Sequence, residues 1–109
     1  MEVFFDDPRL GKMCESDREL RRWCGLERAK KIQLRLKDLQ GAETLEDMRN
    51  LPGRCHELKA DRAGQLSLDL DGPYRLLFRP AEETEPGPGG GRDWTKVTAV
   101  AVMSVTDTH

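Results

Sequence analysis

The stretch "GQLSLDLDGPYRLLFRP", Gly64–Pro80, decides the fold. Its first half alternates, with Leu66, Leu68 and Leu70 on one side and Gln65, Ser67 and Asp69 on the other, which is the period-two pattern of a half-buried strand. Asp71-Gly72-Pro73 is a tight-turn signal. After it, Tyr74, Leu76 and Phe78 alternate against Arg75, Leu77 and Arg79. Two strands joined by a turn form an antiparallel hairpin with one apolar face, and that face needs a cover.

The cover lies upstream. From Ser16 to Gly41, residues Leu20, Trp23 and Cys24 share one helical face, and Ala29, Ile32, Leu36 and Leu39 continue it at three- and four-residue spacing. Ser16 or Asp17 can cap this helix, Gly25 can kink or divide it, and Gly41 ends it. Before it, "MEVFF" reads as a short first strand. "DDP" then reads as a helix start leading into a short helix that Gly11 weakens. "TLEDMRN" adds at most a helical turn. After the hairpin, "AEETEPGPGGGRDW" reads as a polar Gly/Pro loop without a core of its own, and "KVTAVAVMSV" as a strand apolar on both faces. The expectation is an α+β domain over residues 1–109, β-α-α-β-β-β, with helices on one face of a twisted, largely antiparallel sheet and a variable acidic loop at 80–95.

At 109 residues the chain has room for one modest core. No apolar run approaches the roughly 20 residues of a membrane span, so a soluble, cytoplasmic protein is expected. Cys14, Cys24 and Cys55 form no C-x-x-C pair and read as small core residues. With two histidines a structural zinc site is not expected, nor is any cofactor. The net charge of −2 conceals an asymmetry: residues 16–41 carry eight Lys/Arg against four Asp/Glu, while residues 80–95 carry four acids against one Arg. The basic stretch suits nucleic acid, or is simply a solvated helix face.

No phosphate-binding glycine loop or Ser-His-Asp pattern is present. What remains is a polar sheet face. His56, Lys59 and Arg62 lie at or near one strand, Arg75 and Arg79 share the outward face of another, and Asp107 and His109 close the last. Such a set suits metal-independent cleavage of RNA by its own 2′-hydroxyl. That reaction needs a base, an acid and cations around the phosphorane. Histidine titrates near neutral pH, positioned acid–base groups contribute roughly 10²–10⁴-fold, and arginine grips two phosphate oxygens at once. Taken alone, an internal histidine beside a strand is more often a surface or hydrogen-bonded residue, and a terminal one is more often frayed.

The ordered segments Leu-Pro-Gly, His-x-Leu-Lys, Gly-x-x-Ser-x-x-Leu, Tyr-Arg-Leu-x-Phe and a terminal Asp-x-His, with the preceding "AKKIQLRLKDLQGAETLEDM", closely resemble the HigB branch of the RelE/ParE toxin superfamily, the plasmid maintenance system killer proteins. The resemblance implies a RelE-like, microbial-ribonuclease-like fold. It implies a type II toxin that enters the ribosomal A site and cuts mRNA, and a native chain end at His109. It also implies a cognate HigA-type helix-turn-helix antitoxin as partner, with operator DNA bound only through that antitoxin. Carried over by residue, His56, His109 and Asp107 are the expected catalytic groups. Lys59 and Arg75 are the expected phosphate contacts, with Arg62 and Arg79 as further candidates. One position departs: the family's tail usually reads Asp-Tyr-His, and here it is Asp107-Thr108-His109. Threonine cannot stack on a base as tyrosine can. Two alternatives stand beside the nuclease: a ParE-type poison of DNA gyrase, which the superfamily resemblance allows, and a weakened homologue acting only through antitoxin binding, which Thr108 motivates.

Overall fold

The structure, a computed structural model, describes residues 1–82 and 91–107. Strand β1 (Glu2–Phe5) leads into helices α1 (Pro8–Cys14), α2 (Asp17–Cys24) and α3 (Leu26–Gly41). Strands β2 (His56–Glu57), β3 (Leu66–Asp69), β4 (Tyr74–Pro80) and β5 (Ala99–Asp107) follow, with 3-10 turns at Leu45–Asn50, Ala60–Arg62 and Trp94–Lys96. One five-stranded sheet has the order β1-β5-β4-β3-β2. β1 runs parallel to β5, and every other neighbouring pair is antiparallel. This is the expected α+β architecture with two additions, a third helix and the two-residue strand at His56.

The third helix exists because Gly25, at φ 88°, breaks the long amphipathic stretch. A side chain there would be strained, whereas glycine turns freely. The local capping chemistry works as the sequence implies. Asp7 accepts from the Arg9 N–H at the start of α1, and Ser16 accepts from the Glu19 N–H at the start of α2. Leu20, Ala29, Ile32, Leu36 and Leu39 from the helices meet Leu66, Leu68, Leu76, Phe78, Val100 and Val102 from the sheet in one core.

Two residues depart from expectation. Trp23, at the C-terminal end of α2, is 48% exposed instead of sharing the buried face of Leu20. Trp94, placed in the polar loop, is buried in the core. Its indole donates to Glu57, and the Arg49 guanidinium lies 3.8 Å above its ring. Much of the acidic loop, at 83–90, falls outside the described residues. The three cysteines are half-buried against the core; burial pushes the Cys14 thiol up to about 11 and the Cys55 thiol up to about 12. Among the described residues no helix is long and apolar enough to cross a membrane.

Candidate functional site

The helices cover one face of the sheet, and the other carries His56, Arg75 and Arg79. Cross-strand register aligns His56 of β2 with Ser67 of β3, Leu77 of β4 and Ser104 of β5. One pair of residues along, Asp69, Arg75 and Thr106 form the next row. Directly opposed residues of antiparallel strands project to the same face, so these two rows share the face opposite the helices, where Ser67 and Leu77 at the centre are themselves buried.

His56 is held in a defined orientation. Its Nδ1 lies 2.8 Å from the Arg54 carbonyl oxygen. A carbonyl only accepts, so Nδ1–H donates, and the neutral ring carries its lone pair on Nε2. That is the form able to take a proton from a substrate hydroxyl.

Beside it lies a charge cluster whose centre the sequence reading passed over. Asp69 binds two arginines at once, Arg75 at 2.9 Å and Arg54 at 3.2 Å. Arg75 is mostly buried and also donates to the Gly72 and Tyr74 carbonyls, which fixes its guanidinium. Arg54 is mostly exposed and adopts a left-handed backbone, φ 50°. The cluster therefore combines one anchored arginine with one that can reach outward, around a single carboxylate. A signal for it was present: the Asp71-Gly72-Pro73 turn sets Asp69 opposite Arg75, and opposite charges facing across a hairpin pair.

The remaining candidates are dispersed. Arg79 projects from the same face four residues beyond Arg75, about 13 Å along the strand. Asp6 engages its guanidinium through two bonds of 2.9 Å. Lys59 and Arg62 are exposed at the 3-10 turn that follows β2, toward the Arg79 end of the sheet and away from the Asp69 cluster. Asp107 registers with Tyr74, so it projects to the helix-covered side, opposite Arg75 and His56. Thr108 and His109 lie outside the described residues. The structure thus brings His56 and Arg75 to neighbouring rows of one face, sets Arg79, Lys59 and Arg62 toward its far end, and sends Asp107 to the other side.

Among the described residues no group of three or more His, Cys, Asp or Glu could hold a metal ion. A groove of about 900 Å³ between β1, α1 and α3, lined by Val3, Phe5, Gly11, Cys14 and Leu36, contains none of the residues above.

Over 100% of both chains, this backbone matches the solved structure of a YoeB/ParE toxin from Agrobacterium tumefaciens, with a TM-score of 0.62. The two proteins share a fold. Their sequences are 13% identical, so the likeness is one of architecture alone. No protein-family model matches the sequence, and no curated protein matches it either. The likeness to the HigB branch accordingly rests on the short motifs, and the structural likeness is one of backbone architecture.

Proposed function

We propose that this protein is the toxin of a type II toxin–antitoxin pair and acts as a ribosome-dependent mRNA endonuclease of the HigB kind. The observation that carries the reading is His56. Its Nδ1–H is tied to the Arg54 carbonyl, so Nε2 faces the task of a general base, one row from the Arg54–Asp69–Arg75 cluster. The shared toxin fold supports it. In this reading Nε2 removes the 2′-hydroxyl proton, and the oxygen attacks the adjacent phosphorus as the bond to the 5′-oxygen breaks. Arg75 and Arg54 hold the phosphate oxygens, which carry the charge gained at the phosphorane. His109 supplies the proton to the departing oxygen. Lys59, Arg62 and Arg79 line the RNA path. No metal or cofactor takes part.

A HigA-type antitoxin neutralises the toxin in the cytoplasm, and operator DNA is bound through it. Induction of the protein followed by mapping of mRNA 5′ ends tests the reading. New ends that appear with the wild type and vanish with His56→Ala support it. Uncut transcripts, or ends indifferent to His56→Ala, overturn it.

A second reading has one specific observation in its favour. Asp107 lies on the opposite face of the sheet from His56, which separates two of the expected catalytic groups. A gyrase poison needs no acid–base pair. Inhibition of purified gyrase in a supercoiling assay, with mRNA intact, would replace the nuclease reading.

A further inference from the structure

Arg35 stands out in α3 as the one charged residue on a stripe otherwise made of Ala29, Ile32, Leu36 and Leu39. It is 7% exposed, and among the described residues no carboxylate lies within ion-pair distance of it. Burying a cation without a counter-charge is unfavourable, so its placement needs a reason. A hydrogen bond supplies it: Nε donates to the Asp69 backbone carbonyl at 2.8 Å.

That carbonyl lies at an irregular point of the sheet. The pairing of His56 with Ser67 would set Arg54 opposite Asp69, yet the Asp69 N–H donates to the Gly53 carbonyl, one residue further, at 2.7 Å. Gly53 and Arg54 both have positive φ, 112° and 50°. This local turn takes the backbone donors of Gly53 and Arg54 away from the Asp69 carbonyl, and Arg35 donates in their place. Contact with Gly53 is so close that a Cβ there would lie 2.8 Å from the Arg35 Nε. The Arg54 carbonyl that orients His56 belongs to the same turn.

We infer that Arg35 is a positioning residue: by capping the Asp69 carbonyl from beneath the sheet, it holds the Gly53–Arg54 turn in the left-handed form that fixes His56 with Nδ1–H and a free Nε2. Without this donor, the Asp69 carbonyl is satisfied best by a backbone N–H of Gly53 or Arg54. Arg54 then relaxes toward extended backbone, and its carbonyl turns away from the imidazole. The tautomer's use in cleavage rests on the proposed nuclease reading; the tautomer itself does not.

The test is NMR of the ¹⁵N-labelled full chain, in a His109→Gln background so that only one imidazole is seen, at a pH where the ring is neutral. The expected wild-type spectrum shows a protonated Nδ1. Arg35→Met keeps the long apolar stem and removes the donor, and it is expected to invert the tautomer population toward Nε2–H. Arg35→Lys, which can still donate to the carbonyl, is expected to restore Nδ1–H. A folded Arg35→Met that keeps Nδ1–H overturns the inference. If both variants unfold, Arg35 is a stability residue only and the inference is likewise overturned. In the wild type, a scalar coupling between the Arg35 Nε–H and the Asp69 carbonyl is required, and its absence also overturns it. Absence of mRNA cleavage by the chain with His109 intact, with the tautomer still responding to Arg35 in the His109→Gln background, would sink the nuclease and leave this inference standing.

Discussion

Replacing Asp69 with Asn removes the carboxylate that grips Arg54 and Arg75 while keeping the side chain's shape and its backbone bond to Gly53. If these arginines bind RNA phosphate, Asp69 competes with the ligand. A phosphate on the far side of either guanidinium would lie about 7 Å from that carboxylate. Their repulsion is then about 0.6 kcal/mol at the dielectric of water and about 2.4 kcal/mol at an effective value near 20. Asp69 is 30% exposed, so the lower half of this range applies best. Removing the charge should tighten binding by roughly 3- to 60-fold at low salt, with values near the lower end expected. The salt dependence should change too. One further phosphate neutralised on a single strand steepens the plot of log K against log salt by about 0.7.

Fluorescence anisotropy with a labelled single-stranded RNA, titrated from roughly 50 to 200 mM salt, reads both quantities. Asp69→Asn that binds no tighter, with an unchanged slope and an intact fold, would refute the assignment of Arg54 and Arg75 to phosphate. Arg75→Gln should move affinity and slope the opposite way.

Three further outcomes follow from the packing. Arg28 forms two bonds to Asp71 and lies 3.3 Å over the Tyr74 ring, and this pairing holds the Asp71 carboxyl below its ordinary range. The stabilisation it adds is complete above about pH 4 and is lost as pH falls through the depressed value. Arg28→Met should lower stability by roughly 1 kcal/mol at neutral pH and flatten this acid dependence, as read by urea unfolding at several pH values. Burial raises the Cys55 thiol from 9.0 to about 12, which leaves roughly a thousandfold less thiolate near pH 8. Iodoacetamide should therefore spare Cys55 in the native chain and label it in urea; rapid native labelling would contradict its placement. Leu20, fully buried, secures α2 on the core, and Leu20→Ala should cost about 2–5 kcal/mol in the same unfolding assay.

The parts of the fold readable in the sequence are those fixed by local period. The alternation of Leu66-Leu68-Leu70 and Tyr74-Leu76-Phe78 gives β3 and β4 and their inward faces, and Asp7 and Ser16 mark helix starts that the structure keeps. What was not readable depends on partners distant in sequence. Nothing in "MEVFF" says that β1 pairs in parallel with β5, nor that Trp94 leaves its polar neighbours to bind Glu57. Trp23 matches the helical period of Leu20, yet it is the last residue but one before the break at Gly25, and it is left half-exposed. At the site, His56 and Arg75 were legible as outward strand residues. Arg54 was hidden by a backbone turn that only Gly53 hints at, and Arg35 by its place on an apolar stripe.

Asp107 shows how one extra residue redirects a whole tail. Along the first part of β5, Ala101 pairs with Arg79 on the open face and Val102 with Phe78 in the core. Unbroken alternation from there would put Met103, Val105 and Asp107 on the open face beside His56. The register instead slips between Leu77 and Phe78, and Met103 is left without a partner in the ladder. Such a bulge inverts the parity of everything after it. Ser104 and Thr106 take the open face, Val105 turns toward the core, and Asp107 emerges opposite Tyr74, over which Arg28 stacks. The bulge thereby replaces a bulky apolar pair on the site's face with two hydroxyls, joined by a bond of 2.7 Å. It also moves a negative charge off the surface on which Arg54 and Arg75 would hold phosphate. Because the bulge consists of that one residue, deleting Met103 would make the ladder regular and still leave Ser104 opposite Leu77 and Asp107 opposite Tyr74, off the open face.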